Sequence, residues 1–182
     1  MKQQDNEEVR RKQATLDLIK SHQNNIIEHG FSVQCVMPRA GSSDLDRPFA
    51  YTLGLSPKMP EFIISGLSAQ QSLDTFWSIV RSHKFSPAHH GSINPNFANV
   101  PVAFIKVWPA IKDMASLTKI IRPMGFSMLQ VIWPDANGKF RWDEGYDQTM
   151  LPLQEIYGDI PPRFTRMESI DVVDVFTHKN PE

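Results

Sequence analysis

From Thr15 onward, apolar residues recur at helical spacing. Leu16, Ile19, Ile26 and Ile27 lie near one stripe, with polar residues between them. Gly30 follows directly and fits a left-handed C-cap, with His29 in the last turn. The spacing predicts a helix over residues 7–29, and residues 1–12, charged and nearly free of apolar side chains, form a frayed or exposed start. The rhythm then changes to alternation: Phe31, Val33 and Cys35 interleave with Ser32 and Gln34, which predicts a strand over residues 31–37. Residues 38–48 read as a loop, and two apolar extended runs follow, Phe49–Leu53 and Glu61–Ser65, joined by a Gly- and Pro-marked turn. Ser68 and Gln71 form a capping box, and Leu73, Phe76, Trp77 and Val80 repeat at i, i+3, i+4, i+7, predicting a second helix that ends near Lys84.

Residues 85–99, with two Pro, one Gly, three Asn and the pair His89-His90, read as a long irregular segment of the kind that is often functional or mobile. A strand over 101–108, a shorter helix over 111–121 and a strand over 126–133 come next. The last is apolar on both faces, which suits a central position in a sheet. Asn137-Gly138 has hairpin turn chemistry, so 139–142 is expected to return as a partner strand. The tail from Asp143 is acidic and turn-rich, and 170–176 resembles a last or edge strand. The order predicts a single α+β domain with about three helices on a mixed or mainly antiparallel sheet. Residues 1–27 make a helical extension, 28–159 the core, and 160–182 a tail with an edge strand.

Composition narrows the class. At 182 residues, with 41% hydrophobic and 21% charged side chains, the chain suits one globular domain with a real core. The formal net charge of -1 gives no general attraction to nucleic acid or anionic membrane. Cys35 is the only cysteine, so neither an intrachain disulfide nor a Cys-based zinc cluster is possible. The charged N-terminus is not a signal peptide, and no apolar run approaches the length of a membrane span. A cytoplasmic protein is expected.

Three groups of residues carry a resemblance. They are His29-Gly30-Phe31-Ser32-Val33; then Pro48 to Leu55 (PFAYTLGL) with Pro60-Glu61 and Gly66-Leu67; then Leu129 to Asp135 (LQVIWPD) with Gly138, Phe140 and Trp142. Together, in this order, the set resembles the bacterial family catalogued as domain of unknown function 4262. Arg141 departs from the Pro that the family usually carries before the Trp, and Leu151-Pro152-Leu153 only approximates its closing motif. The resemblance covers about residues 28–155 and implies a shared fold and a shared pocket, but no reaction.

Several polar residues stand in apolar surroundings. Tyr51 and Thr52 point to opposite faces of one strand and either bind a ligand beside Gly54 or pack locally, Tyr51 as a core aromatic. Glu61 would act as a general base if burial raised its pKa; otherwise it is an exposed strand start or pairs with Arg47 or Arg141. Gln130, on the most apolar strand, either clamps a loop backbone or reads a ligand, because a buried amide needs partners. Asp135 either accepts from turn amides or lies beside Trp133 and Trp142 at a pocket mouth suited to a cationic or heteroaromatic ligand. His89 is a second candidate base. The adjacent pair His89-His90 lacks metal-ligand spacing, Asp143, Glu144 and Asp147 lack that of a calcium loop, and Cys35 reads as a small buried hydrophobe. No Walker loop, GxGxxG or GxSxG is present.

The expectation is a bacterial or phage-borne binding protein for a small polar ligand or a partner protein. Its ligand site would be a pocket at the sheet end built from Tyr51, Thr52, Gln130, Trp133, Asp135, Arg141 and Trp142, with no cofactor and no metal. Two alternatives stay open. One is a small hydrolase or transferase using Glu61 or His89 as base. The other is an immunity- or inhibitor-type interaction protein working through its two termini.

Overall fold

The computed structural model describes residues 2–38, 47–82, 87–95 and 100–166, with side chains from residue 6. Its elements are α1 (Lys2–His29), β1 (Ser32–Val36), β2 (Phe49–Leu53), β3 (Glu61–Ser65), α2 (Ala69–Ser82), β4 (Ser92–Asn94), β5 (Val102–Lys106), α3 (Ser116–Ile121), β6 (Met128–Ile132) and β7 (Thr165–Arg166). The strands form one open mixed sheet of seven, in the order β1-β2-β3-β6-β5-β4-β7. Pairings are antiparallel except β3 with β6 and β4 with β7. The α+β architecture with a mixed sheet and three helices is as the sequence predicts.

β6 takes the middle of the sheet because both its faces are apolar enough to be covered. Leu129 and Val131 join Ala50, Phe62, Ile64 and Phe104 on the face that α2 closes with Phe76 and Ile79. The capping box forms as read: the Ser68 Oγ accepts from the Gln71 amide at 3.2 Å, and the Gln71 Oε1 accepts from the Ser68 amide at 3.1 Å. On the other face, Tyr51, Leu53, Ile63 and Met128 meet Leu117 of α3, Tyr157, and Ile19 and Ile26 of α1. Farther along, Ala103, Ile105 and Ile132 meet Phe140, Trp142 and Ile156.

A strap over residues 151–158 closes this second face. It lies so near the sheet that a Cβ on Gly66 would fall onto the Leu153 carbonyl, and one on Gly158 onto the Lys106 carbonyl. Gly66 also sits at φ +80, so both space and backbone demand glycine there.

Three expectations need correction. The 139–142 partner strand does not form, because Asp135 gathers the amides of Asn137, Lys139 and Asp147 onto its carboxylate and wraps the chain into consecutive turns. The segment 85–99 contains β4, whose three residues are too few to show a period. The helix over 111–121 is split at Met114 and Ala115 into a 3-10 helix, Pro109–Asp113, and the six-residue α3. The expected strand at 170–176, most of the 38–48 loop and the end of α2 near Lys84 lie outside the described residues.

Candidate functional site

Glu61 opens β3, and it is fully buried instead of standing at an exposed strand start. Its Oε1 accepts from the main-chain N–H groups of Gly54 (3.1 Å) and Ser56 (2.9 Å), and its Oε2 from the Thr52 hydroxyl (2.7 Å). The Thr52 Oγ in turn accepts from the Phe62 amide at 2.8 Å. Burial raises the Glu61 pKa, outweighing the donors around it. The expected pairing with Arg47 or Arg141 does not occur; both arginines lie on the strap instead. Tyr51, also buried, accepts from the Leu117 amide at 3.5 Å across the opposite face.

Gln130, fully buried, grips the strap. Its Nε2 donates to the Glu155 carbonyl at 2.5 Å, and its Oε1 accepts from the Tyr157 amide at 2.6 Å. The Ser65 hydroxyl donates to the same Glu155 carbonyl at 3.0 Å. The Trp133 indole donates to the Ser65 carbonyl at 2.9 Å. Asp135 accepts from its three turn amides at 2.9 Å each, and these donors hold its pKa below the usual carboxylate range. Trp142 is stacked between Phe140, at 5.0 Å, and Phe164, at 4.2 Å. The polar groups of Gln130, Trp133 and Asp135 are therefore engaged by main chain.

These candidates do not converge. β3 and β6 run parallel, with Glu61 paired to Met128. Glu61 and Thr52 stand at one end of the sheet, while Trp133 and Asp135 follow the other end of β6. At about 3.3 Å per residue, some 15 Å separates the two groups. His89 is exposed, its Nδ1 3.1 Å from the Pro87 carbonyl, and His90 Nδ1 accepts from the Lys106 amide at 3.0 Å. Among the described residues, no three His, Cys, Asp or Glu gather as a metal site. Burial raises the Cys35 pKa and keeps its thiol protonated.

Two predicted residues line open clefts: Trp133 borders one of about 340 Å³ with Leu67, Asp74 and Val102, and Arg141 borders another. Arg141 shares a space of about 540 Å³ with Arg47, Gln154 and Glu155, walled by Leu151, Pro152 and Ile156. The Arg47 Nε donates to the Pro152 carbonyl, and an Arg141 terminal nitrogen donates to the Gln154 carbonyl at 3.4 Å. Neither guanidinium is in an ion pair among the described residues. The Gln154 side chain, 2% exposed, donates from Nε2 to the Trp133 carbonyl at 3.2 Å. Its Oε1 has no partner among the described residues. Burial, and after it the charge of the exposed Glu155, drives the nearby Tyr157 phenol up to about 12. Sequence reading missed Gln154 and Glu155, and it took Arg47 only as an ion-pair partner. Nothing in the local pattern ties these positions to Arg141; the strap's long-range contacts do.

Among the described residues, no helix is long and apolar enough to cross a membrane. Neither a curated protein nor a solved structure matches the chain. A family model described as "Domain of unknown function (DUF4262)" matches residues 25–147, from the last turns of α1 to the turns gathered by Asp135. The match spans well over half of the sequence, includes the three groups that carry the resemblance, and stops short of the strap; the chain belongs to that family.

Proposed function

We propose that this protein binds a small anionic molecule in the cleft between Arg47 and Arg141. The observation that carries the reading is a pair of guanidiniums without a carboxylate partner among the described residues, facing one cleft of about 540 Å³. Each guanidinium has one nitrogen anchored to a strap carbonyl, which orients the fork and leaves other N–H donors for a ligand. The volume falls within the range usual for small-molecule sites. The exposed Glu155 carboxylate supplies an acceptor on the same wall. The ligand class is then a carboxylate- or phosphate-bearing metabolite that also carries an amine or hydroxyl donor. An apolar portion would lie against Leu151, Pro152 and Ile156.

The test is native mass spectrometry of freshly purified protein for a co-purifying small molecule. It is joined to a thermal-shift screen of phosphate, amino acids, hydroxy acids and sugar phosphates. A compound of this class should raise Tm in the wild type. Arg141→Ala and Arg47→Ala should each weaken its binding roughly tenfold to 150-fold, since a charge-assisted hydrogen bond contributes about 1.5–3 kcal/mol and tenfold corresponds to about 1.4 kcal/mol. If no such compound shifts Tm, or if the shift survives in both variants, the proposal fails.

A further inference from the structure

A second polar constellation lies at the far edge of the sheet, where α1 crosses β1. His22 is on the stripe of α1 that includes Ile19 and Ile26, and it is only 6% exposed. Its Nδ1 lies 2.8 Å from the Ser32 Oγ, and its Nε2 lies 2.9 Å from the Gln34 Oε1. The Asn25 Nδ2 donates to the same Ser32 Oγ at 3.2 Å. The directions of these bonds follow from one fixed point. The Gln34 Nε2 donates to the Cys35 carbonyl at 2.6 Å, and a carbonyl oxygen accepts only, so the amide cannot be turned round. Gln34 therefore presents its oxygen to His22. An unprotonated Nε2 would set lone pair against lone pair, so the neutral imidazole carries its proton on Nε2. That leaves the Nδ1 lone pair as acceptor, and the Ser32 hydroxyl is the donor to it.

Nucleophile, base and orienting acceptor thus stand in a line: Ser32, His22, Gln34. This is the arrangement by which a serine hydroxyl, weak on its own, is activated. Ser32 and Asn25 also line a cleft of about 360 Å³ with His29, Phe31, Leu73 and Trp77. The Phe31 ring meets Trp77 edge-on at 4.6 Å, and the Arg81 guanidinium covers Trp77 at 5.3 Å, so the aromatic wall is held in place.

We infer that Ser32 is the nucleophile of an acyl-transfer site, independent of the arginine cleft, that hydrolyses carboxylic esters with an apolar or aromatic acyl group. The Ser32 Oγ adds to the ester carbonyl carbon while its proton passes to the His22 Nδ1. The tetrahedral oxyanion forms beside the Asn25 Nδ2 donor. Collapse breaks the bond to the leaving alkoxide, which takes the proton from His22. Water then repeats the sequence: His22 accepts its proton, the hydroxide portion adds to the acyl carbon, and the carboxylic acid leaves as the proton returns to the Ser32 Oγ. Gln34 is a positioning residue, acting through the imidazole.

The experiment treats the folded, full-length chain with an alkyl fluorophosphonate and locates the adduct by peptide mass spectrometry. Hydrolysis of p-nitrophenyl butyrate is followed in parallel. One phosphonyl group is expected on Ser32, ahead of all other serines, and none at that peptide in Ser32→Ala. His22→Gln should slow labelling at least 100-fold, the lower end of a general-base contribution. Because His22 is buried and its variant could unfold, Gln34→Leu serves as the second variant: it removes tautomer control from a half-buried strand position and should slow labelling about tenfold or more. Circular dichroism of each variant reports folding. Folded wild type that leaves Ser32 unmodified overturns the inference. So does a folded His22→Gln or Gln34→Leu variant that labels Ser32 at the wild-type rate. If neither variant folds, selective modification of Ser32 in the wild type decides in favour, and unselective modification decides against.

Discussion

Gln130→Met tests whether the strap is held by one side-chain amide. Met nearly conserves volume, so cavity formation contributes little and the change isolates the hydrogen bonds. Two strap groups lose a partner. The Tyr157 amide, bonded to the Gln130 Oε1 at 2.6 Å, is left as a buried unsatisfied donor. The Glu155 carbonyl loses the Gln130 Nε2 but keeps the Ser65 hydroxyl at 3.0 Å, so its loss is partial. At about 1–3 kcal/mol for a fully orphaned group, and less for the shared carbonyl, the variant should lose about 2–4 kcal/mol of stability. For a chain of this length that corresponds to a fall in Tm of roughly 5–15 °C. Urea unfolding and calorimetry measure the total, and hydrogen exchange reads the strap directly, where the amides of residues 153–158 should exchange faster than those of β2 and β3. A stability loss below about 1 kcal/mol with the Tyr157 amide still protected would refute the clamp.

Three further outcomes follow from the same contacts. A carboxyl whose folded pKa is raised binds its proton more tightly folded than unfolded, so the Glu61 contribution is fully present below its ordinary value of 4.5 and is lost as pH rises through the raised value. Urea midpoints of the wild type should therefore decline relative to Glu61→Gln as pH increases from about 4.5, and a constant difference would contradict the burial argument. Asp135 has the opposite sign: its pKa is lowered from 3.8, so its stabilisation is present above that value and lost as pH falls through the depressed one. Asp135→Asn should be the less stable protein at neutral pH and approach the wild type in strong acid; curves that stay parallel would reject the three-amide anchor. Trp133→Phe removes the indole donor from the Ser65 carbonyl and should cost about 1–2 kcal/mol in chemical denaturation, with no loss if that bond is unimportant.

Much of the fold was legible because its signals are local. The bounds of β2 and β3 follow from two apolar runs between Gly and Pro, and the start of α2 from Ser68 and Gln71. β6 declared its central place by having apolar residues on both faces. The candidate residues themselves were visible as polar side chains in apolar strands, but their partners were not. Gln130 meets main chain 25 and 27 residues downstream, and Trp133 meets Ser65 68 residues upstream. Such pairings depend on the parallel β3–β6 register and on the course of the strap, neither of which has a local period. Asn137-Gly138 misled because the Asp135 carboxylate competes for the same amides a hairpin ladder would use. His22 left one overlooked trace: it falls on the apolar stripe of α1, opposite the polar alternation of Ser32 and Gln34 on β1.

The arginine cleft is tested most directly by nuclear magnetic resonance of the guanidinium Nε–H groups during titration with inorganic phosphate and with small hydroxy acids. The account predicts saturable shifts of the Arg47 and Arg141 signals, together with the Gln154 side-chain amide, at one common midpoint. Shifts confined to other arginines, or a linear drift of all arginines that only follows ionic strength, would contradict it.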